Sequence, residues 1–239
     1  MNIDNEIKKN SYFENRQVNP AFNSTYKLPK YLSENLPVNK EASMLDIGCG
    51  LGAYLKELKN RGYINSVGID ISLEAIEEAK ISGLNVFHIS SIKDFCLQSV
   101  KKYDLITMSH VLEHIEKNEI IEHLIFIKKY LLAEGGSFIV MVPNGQTNAG
   151  AYWMYEDFTH TTLFTSGSLY YVLKSAGFST IEFLDPDGLE KFSGLKKMYT
   201  KILLWLYTQN YLFWNKITGT STHKASPIIF TFEIKAKAS

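Results

Sequence analysis

The sequence predicts an α/β fold: a mostly parallel, seven-stranded sheet with an antiparallel last strand and helices on both faces. Three observations predict it. Short, nearly continuous apolar runs alternate with helical patterns from residue 43 onward, as strands buried on both faces do. A glycine-rich turn joins the first run to the first helix. The last run, 228–234, sets Ile228, Phe230, Phe232 and Ile234 against Ile229, Thr231 and Glu233, the alternation of an antiparallel strand.

Residues 1–40 have no clean period. Tyr12, Phe13, Phe22, Tyr26 and Tyr31 sit among polar residues, and Pro20, Pro29 and Pro37 interrupt regular structure. They read as an N-terminal arm, packed on the core or closing as a lid over a ligand. The main domain is 41–239. Its first strand is 43–47, and Leu55 and Leu58 give helix 53–60 one apolar side. A second strand, 66–71, leads to Ser72, an N-cap ahead of Ala75, Ile76 and Ala79. Strands follow at 86–89 and 103–108. A helix over 120–132 is closed by Gly135 and Gly136, and strand 137–142 is stopped by Pro143. A long loop, 143–165, precedes helix 168–176 with Gly177 behind it. The last strands are 180–184 and 228–234, separated by a helical insertion, 188–224. No internal repeat or low-complexity tract is present.

Composition narrows the function. Lys+Arg and Asp+Glu both number 25 in 239 residues, so no overall basic field exists to hold a nucleic acid. A hydrophobic share of 45% and a charged share of 21% exclude wholesale disorder. The two cysteines, Cys49 and Cys96, exclude a disulfide scaffold and suit a reducing compartment. The polar start and the absence of an 18-residue apolar run lead us to expect no leader, no spanning helix and a cytoplasmic protein.

The strongest motif is Asp46-Ile47-Gly48-Cys49-Gly50-Leu51-Gly52 at the end of the first strand. Glycines there let a ligand approach the backbone, and the following helix points its free N–H groups at that ligand. Asp70 ends the second strand, where a carboxylate can accept both ribose hydroxyls of a nucleoside. Ile71 beside it suits a purine face. The glycine spacing differs from the dinucleotide fingerprint, and Asp46 would repel a pyrophosphate while attracting a ligand that carries an ammonium and a sulfonium.

On these residues the chain resembles the class I S-adenosylmethionine-dependent methyltransferases, over about 40–184 together with the last strand. The resemblance implies their Rossmann-like fold, with S-adenosylmethionine as donor and S-adenosylhomocysteine as product. It places Asp46 and Gly48, Cys49, Gly50 and Gly52 along the methionine part, Asp70 on the ribose and Ile71 on the adenine. Ser91 and Ile92 would meet the adenine edge. Many members carry an Asp where Ser91 stands, which leaves part of that contact to the Ile92 backbone. Ser109 and His110 would border the reacting methyl.

His110-Val111-Leu112-Glu113-His114 fits a zinc-peptidase string. That motif belongs on a helix, whereas here it directly follows a buried strand. Some related quinone methyltransferases hold a divalent metal near this segment, but no metal is expected here, and Glu113 and His114 read as surface or capping residues.

The loop 143–165 mixes rings, amides and hydroxyls at the carboxyl end of a strand, where open α/β sheets bind ligands. Asn144, Tyr152, Trp153, Glu156 and Asp157 are its candidate acceptor contacts, with Arg16 and Tyr26 from the arm. Methyl transfer needs alignment above all. A neutral hydroxyl also needs a general base, for which His160 is the first candidate and His110 the second. Tyr155, Glu156 or Asp157 could orient it. An anionic acceptor would need no base, and His160 and Arg16 would then position it. The string from Tyr155 to Thr165 resembles methyltransferases of bacterial surface-polysaccharide clusters, including those that methylate capsular phosphoramidate. This implies a small-molecule or nucleotide-linked glycan precursor as acceptor, with a quinone or a lipid as the alternative. A nicotinamide oxidoreductase is disfavoured by Asp46, and a non-catalytic nucleoside-binding module by the acceptor loop.

The apolar stretch 195–217, flanked by Lys196, Lys197, Lys201 and Lys216 and broken at Thr208-Gln209-Asn210, must be buried in something. Its own domain or a second copy in a homodimer is the first expectation. Peripheral contact with a membrane is the other.

Overall fold

Met44 to Ile47 are buried on both sides, and this four-residue run forms β1 (Met44–Ile47), a central strand. It pairs in parallel with both neighbours, placing Asp46 opposite Gly68 on one side and Thr107 on the other. The computed structural model describes residues 26–239. In chain order it contains α1 (Lys30–Ser33), β1, α2 (Ala53–Asn60), β2 (Ser66–Asp70), α3 (Leu73–Ile81), β3 (Val86–His88), α4 (Ile92–Gln98) and β4 (Tyr103–Ser109). After these come α5 (Ile120–Phe126), a π-helical turn (Ile127–Leu131), β5 (Leu132–Pro143), α6 (Gly150–Glu156) and α7 (Ser166–Ser175). β6 (Ile181–Phe183), α8 (Gly194–Thr218) and β7 (Glu233–Ala238) complete the chain. The seven strands run β3-β2-β1-β4-β5-β7-β6. β1 to β4 pair in parallel and β6 with β7 antiparallel, as expected.

The chain divides into two compact units. The first comprises the segment ending at Pro29, Leu36–Val111 and Phe126–Phe138. Leu55, Leu58, Ile69, Ala75, Ile76 and Ala79 are buried in it, so the apolar sides read from the sequence do face inward. Each of the buried leucine and isoleucine side chains contributes about 1.5–3 kcal/mol relative to exposure. Ser72 caps α3 by accepting the Ala75 N–H at 3.2 Å.

The second unit comprises Lys30–Asn35, Leu112–Ile125 and Ile139–Ser239. Tyr31 and Leu32 of α1 are buried in it. The Tyr31 hydroxyl meets Met141 Sδ at 3.1 Å, and Lys235 Nζ lies 4.5 Å from the Tyr31 ring centre. The part of the arm around α1 therefore packs as core. Residues 1–25 lie outside the described residues, and the lid expectation with them.

Several expectations are corrected. β5 starts at Leu132 and runs through Gly135 and Gly136, because Gly136 tolerates a backbone approach from Tyr103 O and Asp104 O that a Cβ would block at 3.0–3.1 Å. The last strand is 233–238, not 228–234. Asn144 Nδ2 takes the carbonyls of Ile229 and Thr231, both at 2.8 Å, so that stretch is held by a side chain. The loop 143–165 contains a helix, α6. Ser91 starts a further helix, α4, that the periodicity did not reveal. α8 runs straight through Thr208-Gln209-Asn210 and none of its residues is buried.

Candidate active site

The first unit carries the glycine loop. Gly48, Gly50 and Gly52 have φ of 75°, 50° and 81°, so alternate positions adopt the left-handed backbone that glycine alone enters without strain. A Cβ on Gly48 would also collide with the Val111 side chain. The turn is held to β2 by Ile69 O, which accepts the N–H groups of Gly48 at 2.8 Å and Cys49 at 3.1 Å. α2 then begins with no side chain capping it, which leaves its first N–H groups to a ligand.

Asp70 braces this loop. Its Oδ2 accepts the Gly50 N–H and its Oδ1 the Ser72 N–H, both at 2.8 Å. Asp46 accepts the Thr107 hydroxyl at 2.7 Å. Burial raises the Asp46 carboxyl to about 7; the Thr107 bond opposes the rise and the nearby Asp70 charge adds to it. Burial also raises Asp70, against its backbone hydrogen bonds. Among the described residues no salt bridge reaches either acid. Two neighbouring buried acids of this kind favour a cationic ligand, which lowers the cost of ionising both.

Other residues expected here take more specific positions. The Cys49 thiol lies against Gly68, and burial pushes it well above the usual thiol range, so its backbone is what lines the loop. Ile71 is exposed at the end of β2. Ser91 has a duty the sequence reading did not assign: its hydroxyl caps α4 by accepting the Asp94 N–H at 3.0 Å. The Ile92 side chain is buried. Ser109 is half-buried and His110 exposed at the carboxyl end of β4. His110 has φ 53°, a conformation that costs roughly 1–3 kcal/mol in a non-glycine residue and tends to persist at functional positions.

The second unit gathers the groups of the segment 143–165. Thr161 N–H and hydroxyl donate to Glu113 O at 2.9 and 3.1 Å, and the same hydroxyl reaches Ile115 O at 2.6 Å. The loop is thereby stapled to the 3-10 turn Leu112–His114. This brings His160 beside Glu113, whose side chain is fully buried, so the surface or capping role expected for Glu113 is corrected. His160 Nε2 lies 3.9 Å from Glu113 Oε1 and 3.8 Å from Asp157 Oδ2. Its Nδ1 is 2.6 Å from Trp153 O. A carbonyl only accepts, so Nδ1 carries the proton and neutral His160 keeps its lone pair on Nε2.

His114 is fixed by the same reasoning. The Thr159 hydroxyl donates to Asp157 Oδ1 at 2.6 Å and must therefore accept from His114 Nδ1, 2.8 Å away. Burial holds His114 below the usual imidazole range. The ring centres of His114 and His160 are 4.8 Å apart. Glu113, His114 and His160 each offer a ligand atom within 4.8 Å of the others. Such a cluster can hold a shared proton or a divalent cation. The peptidase reading fails on geometry. Leu112–His114 is a single 3-10 turn behind a left-handed His110, so the string does not lie on one helical face.

Trp153 Nε1 and Thr162 Oγ1 are buried without a hydrogen-bond partner among the described residues. Thr162 carried no signal in the sequence. Tyr152 and Tyr155 are exposed on α6, and Glu156 is exposed at its end. Asp157 is buried, and its Oδ1 also accepts the Thr159 N–H at 3.0 Å. Asn144 is corrected. Both its side-chain N–H groups serve Ile229 and Thr231 and its Oδ1 accepts the Gln146 N–H at 2.9 Å, so it acts as an internal staple. Tyr26 is half-buried. Arg16 lies outside the described residues.

Comparison with known proteins adds the family. The family described as "Methyltransferase domain" matches residues 14–182. A "Ubiquinone biosynthesis O-methyltransferase" of Saccharophagus degradans is 34% identical over 90 residues, covering 36% of this chain and 37% of that protein. The chain thus spans little more than a third of that relative's length. A "SAM dependent methyltransferase" from Archaeoglobus fulgidus superposes with a TM-score of 0.64 at 20% identity, covering 95% of this chain and 97% of that one. The magnesium protoporphyrin IX methyltransferase of Synechocystis PCC 6803, solved with bound SAH, gives 0.52 at 14% identity, covering 87% and 76%. Both structural likenesses are likenesses of fold.

Proposed function

The chain belongs to the methyltransferase domain family, and we propose that it moves a methyl group from S-adenosylmethionine to a hydroxyl oxygen of a surface-polysaccharide precursor. The donor belongs to the first unit. Asp46 and the glycine loop take the methionine part, Asp70 the ribose and Ile71 the adenine, with Ser109 and His110 at the methyl. The acceptor belongs to the second unit, on Tyr152, Tyr155, Trp153 and Thr162, with His160 as base. The bond from acceptor oxygen to methyl carbon forms as the carbon–sulfur bond breaks. The hydroxyl proton passes to His160 Nε2, and S-adenosylhomocysteine leaves.

The observation that carries the acceptor chemistry is His160 itself. Its Nδ1–H is anchored on Trp153 O, its lone pair is on Nε2, and the buried Glu113 carboxylate lies alongside. That arrangement suits taking a proton and holding the imidazolium that results. An anionic phosphoramidate oxygen would not need it, so a neutral sugar hydroxyl is favoured over the phosphoramidate. The curated relatives carry the name of ubiquinone-biosynthesis enzymes, which supports a phenolic quinone precursor as a second reading. The test is turnover with radiolabelled donor against nucleotide-linked sugars, capsular oligosaccharides and catechol-type quinone precursors. Labelled sugar is expected. Label entering only the quinone precursor, or no acceptor despite firm donor binding, overturns the glycan reading.

A pH dependence of donor binding follows from Asp46. The donor's ammonium needs the ionised carboxylate, yet burial raises that carboxyl to about 7 in the free protein. Below pH 7 the complex therefore releases a proton, and affinity falls by up to about tenfold per pH unit. Calorimetry with S-adenosylhomocysteine in buffers of different ionisation enthalpy is expected to read close to one proton released at pH 6 and close to none at pH 8. A flat profile would remove Asp46 from contact with the ammonium. Free-protein stability has the opposite sign. A carboxyl whose folded value lies above its unfolded 3.8 costs stability as pH rises from about 4 to about 7, because the folded state then binds more protons.

A further inference from the structure

α8 turns its apolar side away from its own unit. Leu195, Tyr199, Ile202, Leu206, Phe213 and Ile217 recur at spacings of three, four and seven, so they form one stripe along a 25-residue helix. All six are between 51% and 80% exposed. The opposite side is the one that packs. Tyr207 and Tyr211 lean on Phe230 with ring centres 4.7 and 5.2 Å away, and their hydroxyls bond to Asn148 and Gln146. A stripe about 30 Å long is more apolar surface than a soluble protein leaves bare without a partner.

The charges on the helix choose the partner. Lys196, Lys197, Lys201 and Lys216 lie within α8, which contains no Asp or Glu. A second copy pairing through this stripe would bring the flanking Lys196 and Lys216 of both copies and no helix acid into one interface, a like-charge arrangement that opposes association. An anionic lipid surface complements them, since lysine stems can run along apolar surface while their heads reach the phosphates. Trp205 and Trp214, both more than half exposed, are the residue type that prefers the membrane–water boundary. No helix among the described residues is long and apolar enough to cross a membrane, so the contact is one of lying on the surface.

We propose that α8 is an interfacial helix that docks the protein on an anionic bilayer, with its outward stripe at the boundary between headgroups and acyl chains. The full chain is to be sedimented with vesicles of phosphatidylglycerol and phosphatidylcholine, and with phosphatidylcholine alone, while tryptophan emission is followed. Binding to the anionic vesicles, a blue shift lost in the double variant Trp205→Phe/Trp214→Phe, and weakening by salt are the expected results. Leu206→Glu/Phe213→Glu lowers partitioning by about tenfold or more, and each of Lys196→Gln and Lys216→Gln by roughly fivefold. All of these variants should bind S-adenosylhomocysteine as the wild type does, which verifies their fold. Wild-type protein that stays in solution overturns the proposal. So does a dimer in sedimentation velocity that Leu206→Glu/Phe213→Glu dissolves without any vesicle binding, because the stripe would then belong to a second copy.

Discussion

Asp70→Ala is expected to weaken S-adenosylhomocysteine and S-adenosylmethionine binding by about 100-fold or more. Two losses combine. The two ribose hydroxyls lose a charged acceptor, and hydrogen bonds to charged groups are worth about 1.5–3 kcal/mol each. The loop also loses its brace, since Asp70 accepts the N–H groups of Gly50 and Ser72 at 2.8 Å. Each donor left unpaired costs about 1–3 kcal/mol where water cannot reach it. Melting temperatures separate the two. The free variant should melt lower than the wild type by the brace alone, and the stabilisation that saturating ligand adds should shrink by the ribose part. Asp70→Asn is the sharper variant. Its side-chain carbonyl can still serve Ser72 N–H, but its amide would point a donor at Gly50 N–H, so it too should lose affinity. Near-native affinity in Asp70→Ala would confine Asp70 to bracing and remove the ribose assignment.

The contrast between this loop and the rest of the site explains what the sequence made legible. Asp46 to Gly52 and Asp70 were readable because strand, glycine turn, helix and second strand are contiguous, and each local choice agrees with the next. Glu113 was visible in the string but not its burial, because that depends on Thr161 folding back onto Glu113 O and Ile115 O, a contact across 46 to 48 positions. The last strand was misplaced because Ile228 to Phe232 has strand-like alternation, yet Asn144 takes its carbonyls. The true strand reads Glu-Ile-Lys-Ala-Lys-Ala, and its buried Lys235 is tolerated because Asp185 Oδ2 lies 3.2 Å away. α8 misled for a different reason. Periodicity locates an apolar stripe but does not say whether the stripe faces the protein or leaves it.

His160→Ala is expected to lower kcat by about 100-fold or more, the contribution usual for a positioned general base, while S-adenosylhomocysteine affinity stays within about twofold. The fold should survive, because the variant forfeits one bond to Trp153 O, worth about 1 kcal/mol. Glu113→Gln tests the partner. It keeps the side chain's shape and removes the charge that stabilises an imidazolium, so kcat should fall while KM changes little. Asp157 and Thr159 hold His114 and the loop rather than the proton, so Thr159→Val should act through stability more than through kcat. Dialysis against a chelator distinguishes the two chemistries open to Glu113, His114 and His160. Turnover that survives dialysis and vanishes with His160 assigns the cluster to proton transfer. Turnover that collapses on dialysis and returns with added divalent cation would make the same three side chains ligands, and the hydroxyl would then be activated by the ion instead of by an imidazole lone pair.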